Sequence, residues 1–258
     1  MYLVRESKIS LSNPHYKPNG EYNTFSPTDD RQIPNCTVYA LLRAYEAIGK
    51  KVKGIASKNS YGFGNAKNWW DNSGMEKLSQ PVDGCIAVFD GNCGHVAFVE
   101  RVIDSTHAVI TESSYHQNKD LRNKYFWNKQ EAELIVGKAT LSGVGKLLGF
   151  LKIPVDDIRV NPDPNKKQIT ATQTYHSVRI NPSKTSNHVQ DGCYLLPGTY
   201  DVLETTEAEG YTWCRIADNC WVAVCDDIVL SGSDPDIVAM LNECIAMLEK
   251  IRSQYGNS

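Results

Sequence analysis

Several absences narrow what this chain can be. In its 258 residues no apolar run approaches the ~20 residues that a membrane-spanning helix needs, so membrane insertion is not expected. Positive charge is not in excess: 27 Lys and Arg stand against 30 Asp and Glu, a formal net charge of −3, which leaves no basic footprint for nucleic acid. No CxxC pair occurs among the eight cysteines (Cys36, Cys85, Cys93, Cys193, Cys214, Cys220, Cys225 and Cys244), which argues against a structural zinc site. Internal repeats and low-complexity tracts are missing too. The opening "MYLVRESKIS" lacks the apolar run and small-residue cleavage site of a signal peptide. The expectation is therefore synthesis in the cytoplasm without an export address, with the cysteines as free thiols.

What is present falls into distinct textures. Residues 1 to about 153 read as α+β: a polar lead-in, a helix over 36–48, a Gly/Asn/Trp-rich stretch, then strands at "CIAVF", "HVAFVERV", "HAVITES" and "GFLKIP". The Pro-, Asp- and Asn-rich segment around 154–167 reads as a linker. From 168 to 232, short strands broken by turn residues every 8–12 positions read as a small β-barrel. The tail, 233–258, starts a helix at Asp234-Pro235 and carries a heptad seam of Ile237, Leu241, Cys244, Leu248, Ile251 and Tyr255. That seam has two readings, packing on its own barrel or self-association as a short coiled coil.

Chemistry enters at "PNCTVYALLRAYEAIG". Val38, Leu41, Leu42, Tyr45 and Ile48 form one apolar helical face, with Asn35 as N-cap and Gly49 as stop. Cys36 falls in the first turn, where unpaired N–H groups and the helix dipole favour a thiolate. A nucleophilic thiolate needs a base, and His95 opens the alternating strand "HVAFVERV". A hairpin with an even loop around Asp104-Ser105 sets Ser114 opposite His95 and Glu112 on the diagonal of the same face. Glu112 then orients the imidazole; an odd loop would turn it away. His15, His107, His116, His176 and His188 are weaker bases, His116 being the main rival because it lies close to Glu112.

Taken together, "NCTVYALLRAYE", "GNAKNWW", "VDGCIAVFDGNCGHVAFVERV", "VITESSY" and "LLGFLKIP" resemble the CHAP family of cysteine- and histidine-dependent amidohydrolases and peptidases. The resemblance covers roughly residues 30 to 153. It implies a papain-like α+β domain that cuts amide bonds in peptidoglycan, with Cys36 as nucleophile, His95 as base and Glu112 as its orienting acid. Ser114 stands where many members carry Asn, and Cys85 where many carry Asp. The Cys36 backbone N–H belongs to the implied oxyanion hole, with Asn35 and Ser114 as auxiliary side chains. Asp29-Asp30 lacks an alternating calcium-ligand pattern, so no metal or other cofactor is expected. Trp69 and Trp70 are read either as core or as a substrate groove.

The later segment "YHSVRINPS…GCYLLPGTYDVL…GYTWCRIADNCWVAV" is similar to bacterial SH3 (SH3b) domains that hold hydrolases on the wall. Tyr175, Tyr194, Tyr211, Trp213 and Trp221 are its candidate wall-binding residues, or else barrel core. The expected fold is thus a papain-like α+β (CHAP) catalytic domain over 1–153, a small all-β SH3b-like barrel over 168–232 and a C-terminal helix. The expected function is a phage-type endolysin, an amidase or endopeptidase released through a separate pore protein to reach the cell wall. A bacterial autolysin and a non-catalytic wall-binding protein are the competing readings.

Overall fold

The computed structural model describes residues 1–23, 35–51, 65–116, 124–141, 143–156, 159, 166–173, 176–232 and 247, with side chains at all of these except 114–116 and 124–126. The chain divides into two compact units, Met1–Asp157 with Gln190–Tyr194, and Ile158–Val189 with Leu195–Ser258.

The first unit is built on an antiparallel sheet. Its strands are β2 (Lys77–Leu78), β3 (Ile86–Phe89), β4 (His95–Val102), β5 (His107–His116), β6 (Lys124–Glu133) and β7 (Leu147–Leu151), in the spatial order β2-β7-β3-β4-β5-β6. One face buries Ala87, Phe89, Ala97, Val99, Ile110 and Phe150, the residues that strand alternation brings together. Helix α1 (Cys36–Ile48) packs against β4 and β5. It ends on Gly49, whose φ of 79° lets its N–H close back onto the Tyr45 carbonyl at 2.8 Å.

The lead-in is structural. Strand β1 (Val4–Arg5) pairs with β9 (Cys193–Tyr194), and Tyr16 stacks on Tyr39 of α1 with centroids 6.2 Å apart. Covered in this way, α1 buries Thr37 to Ala47 without a break, including Arg43 and Glu46 on what reads in sequence as its polar face. Both are neutralised in place. Arg43 Nε donates to Glu100 Oε1 at 2.8 Å, Arg43 Nη1 to Glu46 Oε2 at 3.2 Å, and Arg5 Nε to Glu46 Oε2 at 3.0 Å. Tyr16 adds its hydroxyl to Glu46 Oε2 at 2.8 Å, and Thr111 its hydroxyl to Glu100 Oε1 at 2.6 Å. Two arginines, with five N–H donors each, and two glutamates, with about four acceptor sites each, make a buried network with no net charge.

The second unit holds two three-stranded antiparallel sheets. In one, β8 (Gln168–Ala171) lies between β10 (Gly198–Asp201) and β14 (Ile228–Ser231). In the other, β12 (Tyr211–Ala217) lies between β11 (Glu204–Ala208) and β13 (Cys220–Ala223).

The papain-like α+β expectation is corrected by this architecture. Among the described residues strand far outweighs helix, and the helical elements beside α1 are the four-residue helix α2 (Trp69–Asn72) and the 3₁₀ turn over Ala66–Asn68 that precedes it. The physical reason lies in "GNAKNWWDNSG", whose Gly, Asn and aromatic residues are poor helix formers and sustain little more than two turns. The expected C-terminal helix is corrected too: after β14 the described residues hold no helical element, Met247 alone being helical. The seam positions Ile237, Leu241, Cys244, Leu248, Ile251 and Tyr255 lie outside the described residues.

Candidate active site

Local rules place the thiol. Asn35 adopts an extended conformation (φ −64°, ψ 172°), and its Oδ1 accepts from Val38 N and from Thr37 Oγ1, both at 2.9 Å. That cap fixes where α1 begins, and so fixes Cys36 in its first turn, partly exposed. With Oδ1 committed to the cap, Asn35 serves the site by aiming the helix start.

His95 is brought in by β4. The register of β4 on β5 pairs Phe98 with Thr111 and Val99 with Ile110; continued along the strands, it sets Ser114 opposite His95 and Glu112 on the diagonal. The bulge that follows, between Val99 and Arg101, comes after this register is set and absorbs the shift on the turn side. His95 and Glu112 are both buried, and His95 Nε2 meets Glu112 Oε2 in a short hydrogen bond. Glu112 is ionised, so the imidazole is the donor: Nε2 carries the proton and Nδ1 is left for the thiol.

Cys36 is coupled electrostatically to this pair. Burial disfavours the charged imidazole, but hydrogen bonds from Cys36 and Glu112, together with their charges, raise His95 to about 9. Burial likewise opposes ionisation of Glu112, while the His95 hydrogen bond and charge, then Asn128 and Gln130, hold its carboxyl below the ordinary value.

Asn128 and Gln130 were not legible as site residues. They lie two apart on β6, hence on one face, and donate from Nδ2 at 3.1 Å and from Nε2 at 2.7 Å to Glu112 Oε1. The polar pair in "FWNKQ" is the only sequence signal, and it acquires meaning once Asn128 is paired opposite Glu112. Their donors tie down one carboxylate oxygen so that the other faces His95. Replacing Gln130 by Ala is expected to raise the Glu112 pKa, so the acid limb of kcat/KM should move to higher pH with KM nearly unchanged. A pH–rate profile checks this, with Gln130→Asn restoring part of the shift.

The remaining sequence candidates are placed as follows. Trp69 is fully buried, which puts it in the core; Trp70 is half-buried beside Lys77, whose Nζ lies 4.8 Å from its ring centroid. Gly149 leaves room for that ring, since a Cβ there would come within 2.6 Å of it. Ser114 lies on β5 with its side chain outside the described residues, as do Asp29, Asp30 and Tyr175. Tyr194 sits on β9 in the first unit, opposite Val4. In the second unit Trp213 and Trp221 are buried, while Tyr211 is 38% exposed. The seven described cysteines are free thiols, and no cluster of three metal-ligating side chains occurs among the described residues.

Residues 27–118 match the family model described as the CHAP domain. The chain contains a CHAP domain. Cys36, His95 and Glu112 all fall inside the matched span, whereas Asn128 and Gln130 lie beyond it on β6. None of the curated proteins is a significant match. Among solved structures, the crystal structure of Ly7917 aligns with 16% identity and a TM-score of 0.30, over 77% of this chain and 89% of that one. The crystal structure of Ly7917 with the hydrolyzing product of MDP aligns with 15% identity and a TM-score of 0.27, over 78% of this chain and 90% of that one. Likeness at this level is too slight to carry an argument about the CHAP domain or the second unit.

Proposed function

We propose that this protein is a peptidoglycan hydrolase of the endolysin type, cleaving an amide bond in the peptide stem or cross-bridge of Gram-positive walls. The observation that carries the reading is the connected Cys36–His95–Glu112 group within a CHAP domain. In this reading the Cys36 thiolate attacks the amide carbonyl. The oxyanion is met by the Cys36 backbone N–H, which has no acceptor within the helix. His95 Nδ1 protonates the leaving amine, then takes a proton from the water that hydrolyses the acyl-enzyme. Glu112 holds the ring in the required tautomer.

The second unit, in the same reading, is an SH3b-like module that keeps the enzyme on its insoluble substrate and raises its local concentration. Release from the host cytoplasm through a separate pore protein completes the proposal. Self-association is left to light scattering on the full chain.

The test is turbidity loss of Gram-positive walls by wild type and Cys36→Ala, with the new ends identified by mass spectrometry. Wild type is expected to clear walls and the variant to bind without clearing. New amino termini opposite muramic acid would name an amidase, and new termini within peptides an endopeptidase. Binding by both proteins with clearing by neither would replace this reading with a non-catalytic wall-binding protein.

A further inference from the structure

The second unit holds a cavity of about 270 Å³ lined by His176, Arg179, Lys184, Tyr211, Trp213 and Cys225 among others. We propose that this cavity is a thiol-modification site, in which Cys225 forms a mixed disulfide with a small disulfide that carries carboxylate groups. The inference is independent of the wall-hydrolase reading.

Geometry singles out Cys225. It is exposed, and its Sγ lies 3.7 Å from His176 Nδ1, so a thiol is set beside a proton acceptor. Its backbone is pinned by the turn into β14, where the Ile228 N–H donates to the Cys225 carbonyl at 3.0 Å. His176 is pinned through its carbonyl, which accepts from Leu195 N at 3.0 Å. Burial holds the His176 imidazole below its ordinary pKa, against the pull of Asp227, so the ring is neutral and able to accept the thiol proton. The other described cysteines of this unit are Cys214 and Cys220: burial pushes Cys214 up to about 11 and raises Cys220 as well. They are packing residues.

The rest of the cavity selects the reagent. Arg179 is fixed by Nη1 donating to the Ser186 carbonyl at 2.7 Å, and by paired backbone hydrogen bonds with Trp221 at 2.9 and 2.8 Å. Lys184 holds its Nζ 4.2 Å from the Tyr211 ring centroid. Two carboxylates are close by, and neither lines the cavity. Glu209 accepts from Ser183 Oγ and Lys184 N, both at 2.7 Å, and Asp227 accepts from Gln173 Nε2 at 2.9 Å. The lining therefore offers two cations, a guanidinium fork and an ammonium, beside the aromatic surfaces of Tyr211 and Trp213. An anionic disulfide with a compact body suits it.

The exchange balances without a further oxidant. His176 Nδ1 takes the thiol proton, and Cys225 Sγ attacks one sulfur of R–S–S–R. The Cys225–S bond forms as the reagent's own S–S bond breaks, and the departing RS⁻ collects the proton. Cys225 is oxidised and the leaving half is reduced.

The test uses the full, reduced chain and two reagents: a dianionic aromatic disulfide (dithiobis-nitrobenzoate) and the neutral dithiodipyridine. Site-resolved peptide mass mapping follows Cys225 and Cys93, the other exposed thiol among the described residues. Cys225 is expected to outpace Cys93 with the dianionic reagent by about tenfold or more, an advantage that shrinks as salt rises. Arg179→Gln with Lys184→Gln should remove that preference while leaving the neutral reagent's rate near wild type, and His176→Ala should slow both. Equal rates at Cys225 and Cys93 with both reagents, or a preference that survives the double substitution, would show Cys225 to be an exposed thiol and nothing more.

Discussion

Glu112→Gln is expected to lower kcat by about 10³–10⁴ while leaving the protein folded, through the wrong imidazole tautomer. The reason lies on the far side of the carboxylate. Asn128 and Gln130 both donate to Glu112 Oε1, so the new amide must turn its oxygen toward them and its NH₂ toward His95. His95 Nε2 then has to accept instead of donate, and the ring proton moves to Nδ1, where it faces Cys36. A thiol cannot be deprotonated by a nitrogen that already carries a proton. The loss of the carboxylate also removes part of what raises His95 to about 9. In wild type the imidazolium persists below that value and is lost above it, so the alkaline limb of kcat should fall near pH 9 and shift downward in the variant. Steady-state kinetics on a soluble stem-peptide substrate across pH checks both points, with circular dichroism to show that the fold is retained. An unshifted alkaline limb would mean that Glu112 does not act on the ring.

Arg43→Met is the substitution with the largest expected cost in stability. The guanidinium is fully buried between Glu100 and Glu46, and also donates to the Leu3 carbonyl at 2.5 Å. Its removal leaves Glu100 with no cation and Glu46 with Arg5 alone, and breaking a buried pair from one side costs about 3–5 kcal/mol. Urea denaturation should show this as a lower midpoint at constant slope. Removing the exposed Lys152–Glu76 pair, at 3.0 Å, should cost under about 1 kcal/mol. The network also sets an acid dependence. Burial opposes the charge on Glu46, yet Arg5 and Arg43 hold its folded pKa below the ordinary value. Its contribution is therefore complete above the unfolded carboxylate pKa and lost as pH falls through the depressed one.

These two substitutions mark where sequence reasoning succeeds and where it stops. The helix 36–48, its Asn35 cap and its Gly49 stop could be read directly, because capping and helical periodicity are local properties of neighbouring residues. The placing of Glu112 beside His95 was legible only in part: strand alternation brings both to one face, but the turn is odd, with Val102 opposite Ala108, and it is the bulge between Val99 and Arg101 that restores the register. The papain-like α+β class and the C-terminal helix were not legible, and strand far outweighs helix among the described residues. The papain-like class followed from the resemblance, whereas the "GNAKNWW" stretch itself sustains only short turns.

The sequence by itself determined the placements that follow from near neighbours: a cysteine at a capped helix start, and a histidine and a glutamate on alternating strands that can share one face. Tertiary structure alone decided the rest. Arg43 and Glu46 look like a solvated helix face until the lead-in closes over them, with Arg5, Tyr16 and Glu100 arriving from distant points of the chain. Asn128 and Gln130 are two polar residues on a strand until β6 pairs with β5 and aims them at Glu112. His176 and Cys225, 49 residues apart, become a pair only when the second unit folds. In each case the partner is remote in sequence, and no local periodicity encodes which remote group will share a site.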